Sequence, residues 1–98
     1  MILTTTNTIE GHKIHDYLGL VSGIGVNSQK AKLTFNVEKY YKAIGESIAE
    51  VKEMAFQNLK ANALNLKANA VVGIKVDIEL TAANYVTVSL TGTAVKVA

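Results

Sequence analysis

SIAEVKEMAFQNLKANALNLKANAVVGIKVDIEL, residues 47 to 80, is the stretch whose reading decides the fold. Ile48, Val51, Ala55, Leu59, Ala63 and Leu66 recur at three- and four-residue steps, the signature of one apolar stripe on a helix. Lys52, Glu53, Lys60 and Lys67 fall off that stripe and can stay in water. Ser47-Ile48-Ala49-Glu50 has the form in which a hydroxyl and a carboxylate each satisfy an orphaned backbone N–H at a helix start. Asn69 tolerates the left-handed backbone that closes helices, so the helix is expected to stop there. The period then changes from 3.6 to 2. Val72, Ile74, Val76, Ile78 and Leu80 take one face, and Gly73, Lys75, Asp77 and Glu79 the other, which predicts a strand over residues 71 to 80 with one dry side.

Downstream, Thr81-Ala82-Ala83-Asn84 is short enough for a hairpin loop. Val86, Val88 and Leu90 then share a face, and after Gly92 the apolar positions shift to Val95 and Val97, which predicts a bulge at Gly92. Upstream, Asn27-Ser28-Gln29-Lys30 is a polar connection, and residues 31 to 44 alternate first like a strand and then step like a helix, with Asn36 a plausible N-cap. One unbroken helix over residues 37 to 68 would run about 48 Å, against a radius of gyration of about 13 Å for a compact domain of this length. A break at Gly45 with a restart at Ser47 is therefore expected.

Residues 13 to 26 read as a long bent strand, in which Gly19, Gly23 and Gly25 mark bulges or places where another backbone comes close. Residues 2 to 5 suit an edge strand or an arm, and residues 7 to 11 carry turn chemistry. The order is β-β-α-β-β. It defines one α+β domain spanning residues 1 to 98, an antiparallel sheet with one main helix on one face.

Composition narrows the function classes. Apolar residues make up 49% of the 98 residues before the seven glycines are added, and typical usage with glycine included is about 45–50%. A small domain above that level is expected to hide apolar surface against copies of itself. The net charge is +2, and the ten basic residues are all lysines. Without arginine the bidentate fork that reads bases and phosphates is missing, which argues against nucleic-acid binding. There is no cysteine, hence no disulfide, thiolate nucleophile or thiolate metal ligand. No apolar run approaches the roughly 18 residues of a membrane span, and Met1-Ile2-Leu3-Thr4-Thr5-Thr6 lacks the charged start of a signal peptide. A cytoplasmic protein is expected.

Four pieces in order carry a resemblance: Thr4-Thr5-Thr6-Asn7-Thr8-Ile9-Glu10-Gly11, Tyr17-Leu18-Gly19-Leu20-Val21-Ser22-Gly23, Ala68-Asn69-Ala70-Val71-Val72-Gly73, and Thr91-Gly92-Thr93-Ala94-Val95. Together they resemble the YbjQ family of small bacterial and archaeal proteins, often described as heavy-metal-binding. The resemblance implies a subunit similar to that of YbjQ proteins and of dodecin, assembling as a ring, usually a homopentamer. It implies no established enzyme activity, and the family's description points to a divalent heavy metal as ligand; a small oxyanion is the other ligand expected. The chain departs from the family's pattern over residues 27 to 46, which are shorter than in similar proteins and free of arginine.

For metal, the candidates are Glu10, His12 and His15. Glu10 and His12 face the same way if that stretch is extended, whereas His12 and His15, three apart, diverge on a strand. A structural zinc site needs four ligands and a catalytic one three plus water. One subunit offers too few, so a site here needs one histidine from each of several copies around an axis; two solvent-facing histidines are the plainer alternative.

Asp77 and Glu79 beside Lys75 could hold a hard cation or, with a histidine, act as a small hydrolase, although such a row is more often a solvated face. The third reading is a purely structural oligomer. No Gly-x-Ser-x-Gly elbow, phosphate loop or Gly-x-Gly-x-x-Gly is present. Tyr40 and Tyr41 suit a helical core or interface contact, and Asn58, Asn62, Asn65 and Asn69 form a polar stripe that could line a channel, bond to a neighbour or simply face water.

Overall fold

The computed structural model describes residues 1–27, 37–80 and 85–98 and, at residues 37, 39 to 41 and 43 on the helix, the backbone alone. The elements are β1 (Ile2–Leu3), β2 (Ile14–Val26), α1 (Val37–Asn65), β3 (Ala70–Leu80) and β4 (Val86–Val97). The four strands form one sheet in the order β1-β3-β4-β2. β4 is antiparallel to both of its neighbours, β2 and β3, as expected, while the two-residue β1 adds to β3 in parallel and makes the sheet mixed.

The expected break at Gly45 does not occur. α1 runs unbroken through Gly45 and Ser47 for 29 residues, about 44 Å at 1.5 Å per residue. A glycine inside a helix costs only about 1 kcal/mol relative to alanine, too little to interrupt two good flanks. The compactness premise also fails, because the molecule measures 54 × 23 × 17 Å and its radius of gyration is 16.1 Å. The expected cap at Asn36 and the hairpin loop over residues 81 to 84 lie outside the described residues.

The helix ends earlier than expected. Ala68 N–H donates to the Ala63 carbonyl at 3.1 Å and Lys67 N–H to that of Leu64 at 2.9 Å, with Lys67 at φ 63°. That pair of bonds around one left-handed residue is the Schellman closure, usually built on glycine. Lys67, not Asn69, is therefore the stop. Lys67→Gly is expected to stabilise the fold by about 0.5–1 kcal/mol, since glycine adopts this conformation without a Cβ penalty; a rise in the urea midpoint at constant slope is the check.

Asn69 has a different task. Its Nδ2 donates to the Val97 carbonyl and its Oδ1 accepts from the Val97 N–H, both at 2.8 Å. The side chain thus takes the part of one more strand residue against β4, just ahead of Ala70.

The core lies between α1 and the sheet. Val51, Ala55, Leu59 and Ala63 of the expected stripe are 0–1% exposed and pack with Val86, Val88, Leu90 and Ala94 of β4 and Val71 and Ile74 of β3, whereas Ile48 is half-buried and Leu66, past the end of α1, is 40% exposed. Gly23 and Gly25 let the helix backbone come down onto β2. A Cβ on Gly23 would strike the Ala55 carbonyl and stand 2.6 Å from the Leu59 amide nitrogen, and one on Gly25 would strike the Val51 carbonyl. The expected close approach is there.

A second, smaller core lies on the opposite face. Ala70, Val72, Val95 and Val97 are buried there under Ile2, Ile9 and Ile14. Both faces are covered at this end, which explains the apolar shift after Gly92. The expected bulge at Gly92 is absent from β4, whose pairing with β2 runs through Val21↔Gly92 without a shift. The irregularities sit on its partners. β2 carries one extra residue at His15 and another at Leu18, and β3 shifts between Val72 and Lys75, where Gly73 has φ 62°. That shift also places Val72 and Ile74 on opposite faces rather than on the same one.

Candidate functional site

The turn from Ile9 to His12 is closed by the His12 N–H donating to the Ile9 carbonyl at 3.1 Å, with Gly11 at φ 79°. It follows a threonine run held by its own hydroxyls: Thr6 Oγ1 donates to the Thr8 carbonyl at 2.6 Å and lies 2.7 Å from Thr4 Oγ1. This loop is anchored on the β3 irregularity, where the Gly73 and Ile74 amides donate to the Thr6 and Thr4 carbonyls at 2.8 and 3.1 Å.

Glu10 and His12 are thereby set in a turn rather than an extended stretch, and both are exposed. His12 Nδ1 lies 2.8 Å from the Ala98 carbonyl oxygen. A carbonyl only accepts, so Nδ1 carries the proton and, in the neutral ring, Nε2 keeps the free lone pair. Histidines that ligate metals commonly orient their outer nitrogen in this way.

His15 is the extra residue of the first β2 irregularity and is also exposed. Among the described residues no three of histidine, aspartate or glutamate come together as a group able to hold a metal ion. Glu10, His12 and His15 therefore do not form a metal site within one subunit.

Asp77 and Glu79 are exposed on β3, opposite Ser89 and Thr87. His15 lies beside the Asp16↔Lys96 pair at the other end of β4. From Ser89 to Lys96 the strand advances about 23 Å at roughly 3.3 Å per residue. A general base works over about 3 Å or through one water. The carboxylates and the histidines of one chain do not converge, which removes the geometry that the hydrolase reading needs. The side chains of Tyr40 and Tyr41 lie outside the described residues.

The feature that sequence reading missed is what the asparagine stripe does. Asn58 Oδ1 accepts from the Ile24 N–H at 3.1 Å, and Asn62 Nδ2 donates to the Ser22 carbonyl at 2.8 Å. Two asparagines one helical turn apart thus satisfy one outward N–H and one outward carbonyl at the middle of the β2 edge. Their four-residue spacing was the available signal, and only the placement of the helix over β2 gives it meaning.

The opposite edge has no such cover among the described residues. Among the described residues β3 pairs with β1 only at Ala70 and Val71, and residues 75 to 80 have a strand on one side alone. α1 lies over β2 and β4, so Val76, Ile78 and Leu80, on the helix side of β3, stay 38%, 47% and 54% exposed. On the other face of the sheet, at the β2 edge, Leu20, Ile24 and Val26 are 86%, 57% and 47% exposed.

One long helix on a four-stranded mixed sheet, with apolar side chains exposed at both edges, defines a small α+β domain. The YbjQ_1 family model, described as "Putative heavy-metal-binding", matches residues 1–98. The chain belongs to the YbjQ family. It is 41% identical to a UPF0145 protein of Anoxybacillus flavithermus, the match covering 98% of this chain and 97% of the relative. A UPF0145 protein of Geobacillus kaustophilus is 38% identical over the same shares. The crystal structure of a DUF74-family protein from Pediococcus pentosaceus has the same fold at TM-score 0.71 and 22% identity, covering 100% of this chain and 98% of that one. Among the described residues no helix is long and apolar enough to cross a membrane.

Proposed function

We propose that the chain is a non-enzymatic subunit that assembles with identical copies into a ring, a pentamer, and holds a heavy metal or small oxyanion where the copies meet. The observation that carries this reading is how incomplete the single subunit is. Its radius of gyration is 16.1 Å, against about 13 Å for a compact domain of this length. Its accessible surface is 6653 Å², against about 5,400 Å² expected for a compact 10.5 kDa monomer. The family resemblance supports five as the number and metal as the ligand.

His12 is the residue best suited to ligation, because its proton is committed to the Ala98 carbonyl and its second nitrogen is open. Glu10 and His15 are the supporting candidates, each supplied in as many copies as the ring has chains. Light scattering at micromolar concentration is expected to give a mass near five times 10.5 kDa. Native mass spectrometry after incubation with zinc is expected to show metal bound per assembly rather than per chain, and lost in His12→Ala. An assembly that retains no metal or oxyanion would favour the purely structural oligomer, and a monomeric mass would overturn the proposal.

A further inference from the structure

From the two bare apolar strips we infer a head-to-tail contact between copies: Leu20, Ile24 and Val26 of one chain lie over Val76, Ile78 and Leu80 of the next. The inference rests on the self-assembly reading above and adds the surface.

The strips occupy opposite edges and opposite faces of the same sheet. Leu20, Ile24 and Val26 pair with Thr93, Ser89 and Thr87 of β4 and point away from the helix. Val76, Ile78 and Leu80 pair with the buried Leu90, Val88 and Val86 and point to the helix side. A two-fold contact would either pair one strip with itself and leave the other wet, or need one neighbour to reach both faces of the sheet at once. Overlapping the sheets like tiles buries both strips in every copy, since the space beside α1 over β3 is where the neighbour's β2 fits. A contact of this kind uses two different patches and repeats from copy to copy, forming a ring where its rotation closes.

The occupant is another copy because both strips are aliphatic, the one on β2 interrupted only by Ser22, and the shorter fits along the longer. Residues 20 to 26 extend about 20 Å and residues 76 to 80 about 13 Å along their strands. The surface in excess of a compact monomer is about 1,200 Å², of the order needed for two modest contacts when a standard one takes about 800 Å² from each partner.

Ile78→Lys and Ile24→Lys, made separately in the full chain, test the inference by light scattering. Each variant alone is expected to fall from the wild-type mass to 10.5 kDa. An equimolar mixture is expected to give a two-chain species, because each variant keeps the strip the other has lost. Circular dichroism checks folding, and Ile78→Thr with Ile24→Thr, which keep strand propensity, replace any lysine variant that fails to fold. Wild-type mass in either variant overturns the surface and leaves assembly standing. So does a mixture with no two-chain species at the highest soluble concentration. A wild-type chain of monomeric mass overturns both.

Discussion

Gly23→Val is expected to cost about 3 kcal/mol or more, the upper end of what overpacking a core does. Its Cβ would strike the Ala55 carbonyl and come within 2.8 Å of the Leu59 Cβ. A flexible side chain can turn aside, but here the obstacle is the backbone of a helix pinned along its length. Relief requires α1 to lift off β2, which would open the packing of Val51, Ala55 and Leu59 and pull Asn58 and Asn62 from the Ile24 and Ser22 backbone. Thermal unfolding is the measurement, with a fall in midpoint of about 12 °C or more expected for a domain of this size. Gly45→Ala supplies the control. Nothing beyond the helix stands within 4 Å of a Cβ there, so the substitution is expected to stabilise by about 1 kcal/mol through helix propensity alone. Opposite signs for two glycines would show that contact with the helix, not glycine itself, decides the outcome.

Asn69→Ala is expected to destabilise by about 2–3 kcal/mol. The side chain serves the Val97 N–H and the Val97 carbonyl at once, and leaving a half-buried polar group without its partner costs about 1–3 kcal/mol. Asn69→Asp separates the two bonds. It keeps the acceptor for the N–H but sets an oxygen against the Val97 carbonyl, so it is expected to destabilise as well. Hydrogen exchange at the Val97 amide reports the local event: protection lost in the alanine variant and better kept in the aspartate variant.

The helix and the strand after it were legible because both depend on local periodicity, but the dry face expected for the strand is not dry, since Val76, Ile78 and Leu80 are exposed. Val51, Ala55, Leu59 and Ala63 are buried as their spacing requires. What was not legible depends on partners far along the chain. Gly45 reads as a breaker only if the subunit must fit a compact globule, and a 54 Å molecule removes that demand. Asn69 reads as a helix stop because its type suits a left-handed backbone, yet Val97, 28 residues away, claims its side chain. The shift after Gly92 looks like a bulge in one strand, whereas the irregularities belong to β2 and β3 and the pattern reflects a sheet covered on both faces at one end. The candidate site was the least legible part. Glu10, His12 and His15 share chemistry but not a place within one chain, and a spacing rule cannot supply the neighbours that an axis would.

The amide side chains of Asn58 and Asn62 on Ser22 and Ile24 have a consequence for how the protein ages in solution. A fibril propagates when every added molecule offers the next one a fresh rim of unspent amides and carbonyls. Here one rim is plugged at its middle by the molecule's own helix, so a second chain annealed to the other rim would bring a stopper with it. Runaway stacking is thereby confined to molecules that have first shed the helix.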